Sequence, residues 1–131
     1  MSSQNLIRFD MRTLKNQSFL ARLKFAFAGI VAGLRAEHSL RFHLAALAGV
    51  IIVCITTRPE PVWWALLTLA SAAVIAAELF NTALEHLADH LHPEVHPTIR
   101  IVKDCAAGAV LVASLGALGV AAAFVVHLLQ R

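Results

Sequence analysis

Residues 61–91 read PVWWALLTLASAAVIAAELFNTALEHLADHL, and the fold turns on this stretch. From Pro61 to Ala77 it holds no Asp, Glu, Lys or Arg, and acids then return at Glu78, Glu85 and Asp89. From Val62 to Glu78 is about 24 Å of helix at about 1.5 Å per residue, against a hydrocarbon core of roughly 30 Å. One continuous helix over 61–91 would therefore reach the edge of the lipid near Glu78 and carry Glu85 about 10 Å beyond it. Trp63 and Trp64 fall where an interfacial aromatic belt belongs at the opposite end.

Two neighbouring runs, Phe42 to Thr57 and Cys105 to Val126, are also free of those four charged residue types. With 131 residues at 59% hydrophobic composition, the chain carries more apolar material than one small soluble core buries. Lipid is the alternative. The reading is an all-α integral membrane protein with transmembrane helices at about 40–58, 61–91 and 101–129, the first bracketed by snorkelling Arg41 and Arg58. Thr56 to Pro61, with Pro59, makes a tight connection, and Leu91 to Thr98, with Pro93 and Pro97, breaks the second span.

Basic residues set the orientation. Arg8, Arg12, Lys15, Arg22, Lys24, Arg35 and Arg41 precede the first span, Arg100 and Lys103 lie between the second and third, and only Arg58 and Arg131 fall on the other side. The expected topology has a cytoplasmic N-terminus and an outward C-terminus. The net charge of +3 is then a topology and headgroup signal, and nucleic acid is not an expected partner.

Residues 1–17 show no sustained period and read as a mobile terminus. Phe19, Leu23, Phe27, Ile30 and Leu34 keep within one helical stripe, so 18–36 reads as an amphipathic helix on the cytoplasmic membrane surface, with Phe25 on another side. A signal peptide fits less well, because the stretch is diluted by Gly and Ala, ends in Arg35 and is followed by true spans. Cys54 and Cys105 lie in or beside spans without zinc-ligand spacing and read as small hydrophobes. Ala109, Ala113, Ala117 and Ala121 form a small-residue ladder suited to close helix packing.

Five of the eight acidic residues lie between Glu78 and Asp104. Glu78, Asn81, Glu85 and Asp89 occupy an arc of about 80° on an ideal helix. A solvated helix end accounts for Glu85 and Asp89 but not for Glu78 with Asn81 at the depth of the lipid edge, where a functional site is the default reading. Carboxylates with Lys103 nearby suit Mg²⁺ held together with phosphates. Phosphoryl transfer also needs a cation on the phosphates and a group to orient the attacking hydroxyl, while no Walker-type loop is present. His86, His90, His92 and His96 share the region; a transition-metal site on His86 and His90 is the rival to headgroup-facing histidines.

Glu78-Leu-Phe-Asn81-Thr-Ala-Leu-Glu85 followed by Asp89, Glu94-Val-His96-Pro97 and Lys103-Asp104-Cys-Ala-Ala-Gly, together with Glu37 upstream, resembles the prokaryotic diacylglycerol kinase family over about residues 19–127. The resemblance implies a homotrimer with shared active sites in the bacterial plasma (inner) membrane, transferring the γ-phosphoryl of ATP, with Mg²⁺, to a membrane lipid alcohol. By motif position Glu78 resembles the catalytic base, and Glu37 and Glu85 the metal-holding carboxylates. Phe25, Asn81, Asp89, Glu94, His96, Lys103 and Asp104 match positions around the nucleotide. Phe25 stands where the diacylglycerol kinases have a Tyr, and Ala107 where they have a Ser. The run His38-Ser39-Leu40-Arg41-Phe42-His43 looks more like the undecaprenol kinase branch, which favours undecaprenol over diacylglycerol as acceptor. A non-enzymatic or metal-binding helical membrane protein is the alternative of another class.

Overall fold

A computed structural model describes residues 18–91 and 96–130, and every residue there is in or next to a helix. Four helices follow in order: α1 (Phe19–Ala36), α2 (His38–Thr57), α3 (Pro61–Leu91) and α4 (Pro97–Leu129). The last three are long and apolar enough to cross a membrane. The expected terminus 1–17, with His92, Glu94 and Arg131, lies outside the described residues.

The chain divides into two compact units, Met1–Ala32 and Gly33–Arg131. The described part of the first is most of α1. Its start is capped by Ser18, whose Oγ accepts from the Ala21 N–H at 3.4 Å. The stripe residues Phe19, Leu23, Phe27 and Ile30 are exposed, as is Phe25.

In the second unit, each helix boundary has a local cause. The Glu37 N–H still closes a helical turn onto the Gly33 carbonyl at 2.9 Å. Glu37 itself is extended (φ −117°, ψ 128°), so the helical path restarts at His38. At the far end of α2, the Thr56 and Thr57 hydroxyls donate back to the Val53 carbonyl at 2.9 and 2.8 Å. Arg58 then takes the left-handed conformation (φ 46°, ψ 57°) and its N–H closes onto the Cys54 carbonyl. Arg58 is thus a backbone stop as well as the charged flank of the span. Pro61 opens α3, its fixed φ and missing N–H both being harmless at a first helical position.

Helix α4 starts earlier than the 101 expected from hydropathy, because Pro97 begins the helix rather than only breaking the preceding one. His96 is its N-cap, with Nδ1 accepting from the Thr98 N–H at 3.2 Å. Helix α3 spans 31 residues, roughly 46 Å, which exceeds the hydrocarbon and leaves its final turns beyond it.

Helix α3 packs closely against both α2 and α4, whereas among the described residues the α2 and α4 backbones stay apart and meet only through side chains. The core follows the α3 face through Leu67, Val74, Glu78, Thr82 and Ala88. Cys54, Leu67 and Phe124 form one cluster of it, with Val50, Trp63, Val120 and Leu128 against them. Trp63 is tilted onto Phe124 and His127 with ring centroids 5.3 and 5.1 Å apart. Of the alanine ladder, Ala113, Ala117 and Ala121 are half-buried and Ala109 is exposed; the face in use passes through Ala106 and Phe124. Large apolar side chains such as Phe42, Leu69, Phe80 and Val112 point outward, as helices solvated by hydrocarbon require.

Gly33 marks the tightest approach. A Cβ added there would meet Leu79 Cδ2 at 2.9 Å and Leu40 Cδ2 at 3.1 Å, and Leu40 is fully buried. Gly33→Val should therefore destabilise the fold by about 1–3 kcal/mol through overpacking. Gly29, with nothing within 4 Å of an added Cβ, should accept Ala at no cost or gain up to about 1 kcal/mol of helix propensity. Thermal unfolding of the two variants in detergent would compare them, and equal midpoints would contradict this packing.

Candidate active site

Glu78 follows the uncharged run of α3 and is only 5% exposed. A carboxylate so enclosed is costly unless its oxygens have polar partners, and both do. Ser39 Oγ donates to Oε2 at 2.9 Å. His43 Nε2 lies 3.2 Å from Oε1, within ion-pair range when the ring is protonated. Each oxygen keeps lone-pair capacity for one more partner. Below the carboxylate, Thr82 Oγ donates to the Glu78 carbonyl at 2.9 Å, so its hydroxyl is spent on the helix and not on the site.

One turn further, Asn81 Nδ2 donates to Glu85 Oε1 at 3.0 Å. The Asn81 Oδ1 is buried without a hydrogen-bond partner. Mg²⁺ takes one or two carboxylates and completes its shell with waters and phosphate oxygens, so half-buried Glu85 is of the ligand type such a cation uses. Two further turns on, Asp89 accepts from Lys103 Nζ and ties α3 to α4. That pair is partly exposed, so it adds about 0–1 kcal/mol to stability. Asp104 lies 3.7 Å from Arg100 Nε, one turn away on the open surface of α4. Glu37 is half-buried at the start of α2 and caps nothing with its side chain.

The acidic face expected from spacing therefore exists on α3, from the enclosed Glu78 outward to the exposed Asp89. Lys103 joins it through Asp89, whereas Asp104 turns to Arg100. Phe25 belongs to the first unit, and Glu94 lies outside the described residues. Among the described residues no three His, Cys, Asp or Glu side chains converge on one point, neither the histidines nor Glu37 with Glu85, and His92 lies outside them. Sequence reasoning missed Ser39 and His43 as partners of Glu78. Their spacing of four, which puts both on one face of α2, was the available signal.

Between α2 and α4, over α3, lies an apolar groove of about 420 Å³. Ala46, Val50, Val74, Ala117 and Ala121 line it, and Ser71 and Ser114 add two hydroxyls. The volume is within the range of small-molecule sites, roughly 300–1,000 Å³. His43 stands in its wall, so the side chain that touches the Glu78 carboxylate also touches the groove.

Comparison with known proteins gives the chain a family. The family model described as prokaryotic diacylglycerol kinase matches residues 24–125. A protein of Synechocystis named diacylglycerol kinase is 35% identical over 101 residues, which are 76% of this chain and 58% of that protein. A protein of Bacillus subtilis named undecaprenol kinase is 34% identical over 94 residues, 72% of this chain and 76% of that protein. The chain thus spans a little over half of the first relative and about three quarters of the second. No solved structure matches it. The match takes in the three apolar helices, the clamped Glu78 and the Asn81–Glu85 pair, and the chain belongs to the prokaryotic diacylglycerol kinase family.

Proposed function

We propose that this protein is a Mg²⁺- and ATP-dependent lipid kinase of the bacterial inner membrane that phosphorylates a membrane lipid alcohol, with undecaprenol as the acceptor. The observation that carries the reading is the enclosed Glu78 carboxylate, held at both oxygens next to an apolar groove. A soluble acceptor would need no such groove. A lipid chain lying in it brings its hydroxyl to Glu78 at the edge of the hydrocarbon.

Glu78 takes the proton of that hydroxyl as the oxygen attacks the γ-phosphorus and the bond to the β–γ bridging oxygen breaks, so that ADP leaves. Glu37 and Glu85 would hold Mg²⁺ by their motif positions, and the ion would supply positive charge against the triphosphate. Lys103 gives one N–H to Asp89 and retains two for phosphate oxygens. Phe25, Asp89, Glu94, His96 and Asp104 serve the nucleotide by their motif positions, Phe25 by stacking. The N-terminus faces the cytoplasm, where ATP is, and the working unit is a homotrimer with shared sites.

The choice of acceptor rests on the His38 to His43 run and on the Bacillus relative named undecaprenol kinase. The Synechocystis relative named diacylglycerol kinase makes diacylglycerol the competing acceptor. A competition experiment separates them: vesicles holding both lipids at equal mole fraction, Mg²⁺ and γ-labelled ATP. The label should enter undecaprenyl phosphate predominantly, and predominant labelling of phosphatidic acid would reverse the assignment.

A further inference from the structure

We propose that His43 is a positioning residue for proton transfer, which together with Ser39 fixes the direction in which Glu78 presents its free lone pairs to the acceptor hydroxyl. The inference rests on Glu78 as the base and goes beyond it. A glutamate's terminal torsion is broad, so a lone carboxylate at the end of a side chain samples many orientations. Here both oxygens have a partner on one neighbouring helix: Ser39 Oγ donates to Oε2 at 2.9 Å, and His43 Nε2 lies in ion-pair range of Oε1 at 3.2 Å. Ser39 and His43 are four residues apart on α2, so the two contacts come from successive turns and together pin the carboxylate plane.

The His43 ring has its own restraints. It is half-buried, meets the Phe42 ring edge-on with centroids 5.7 Å apart, and stands in the wall of the apolar groove. Its position therefore links chain binding to the carboxylate: a lipid chain in the groove packs against the same imidazole that holds Oε1. Ser39 lies outside the groove lining and bonds the other oxygen, so the two clamps can be removed separately. If His43 merely filled space, an aromatic ring of similar shape would replace it. If it positions Glu78, the replacement must donate a hydrogen bond.

The test compares full-length protein reconstituted in vesicles carrying undecaprenol, with His43→Phe, His43→Gln, Ser39→Ala and Glu78→Gln. His43→Phe should lower kcat about 10–100-fold, the scale on which misplacing a reacting group is felt, with the KM for Mg-ATP unchanged. His43→Gln, which restores an N–H donor, should recover most of that loss. Adding His43→Phe to Glu78→Gln should cost almost nothing further, because the residue it positions is gone. Ser39→Ala should lower kcat in the same way and carries the test should His43→Phe fail to fold. Full activity of His43→Phe or, where it does not fold, of Ser39→Ala would overturn the inference, as would equal losses in His43→Phe and His43→Gln, or a full multiplicative loss in the Glu78→Gln background. Normal turnover by Glu78→Gln would instead overturn the base assignment itself, which makes the two failures distinguishable.

Discussion

Glu78→Gln is expected to lower lipid phosphorylation by about 10²–10⁴-fold, the range that a positioned general base contributes. The amide keeps the size of the side chain and can still accept the Ser39 hydrogen bond through its oxygen. What it cannot do is take a proton. The protein should therefore fold, and binding of a non-hydrolysable ATP analogue with Mg²⁺ should persist, because Asn81, Glu85 and Lys103 are untouched. Turnover by single-phase labelling and nucleotide affinity by equilibrium binding check the two halves. Turnover within a few-fold of the parent would remove Glu78 from the chemistry.

The second large effect is expected at Glu85. Glu85→Ala removes a carboxylate assigned to the cation and leaves Asn81 Nδ2 without its acceptor. The Mg²⁺ concentration for half-maximal activity should rise at least about 10–100-fold, the scale seen even for groups one layer out from a metal. High Mg²⁺ should restore part of the rate. Glu85→Gln separates charge from geometry, since it keeps an acceptor for Asn81 but not the negative charge. Glu60→Ala, on the exposed connection between α2 and α3, should leave the Mg²⁺ curve in place. A curve unchanged in Glu85→Ala would exclude this residue as a cation ligand.

The parts of this molecule that can be read along one helix were legible in its sequence. Pro61 and the break after Leu91 bound α3 at the residues that composition suggested, because a proline start and an uncharged run are local signals. The acidic face was legible for the same reason: spacing alone puts Glu78, Asn81, Glu85 and Asp89 on one side. Relations between helices were not. Ser39 and His43 meet Glu78 only through the register of α2 against α3, which no periodicity encodes. The groove lies where the α2 and α4 backbones, both packed on α3, stay apart from each other, so half-buried Ala117 and Ala121 face space rather than a neighbouring backbone. Local capping moved the start of α4 from the hydropathy edge at 101 back to Pro97, where the His96 cap outweighs the polar composition of the first turn.

Position explains why one face can serve two phases. Glu78 is enclosed by protein at the level where the uncharged run ends, and Asp89, three turns on, is exposed. On the proposed function, a lipid hydroxyl and a water-soluble triphosphate would approach the same helix from opposite directions, each from its own solvent.

The most direct test of this account is transfer itself. Purified protein in vesicles containing undecaprenol, given γ-labelled ATP and Mg²⁺, should move label into a lipid-soluble phosphate, and chelation of Mg²⁺ should stop it. Label that stays wholly in the aqueous phase, with either undecaprenol or diacylglycerol present, would contradict the account.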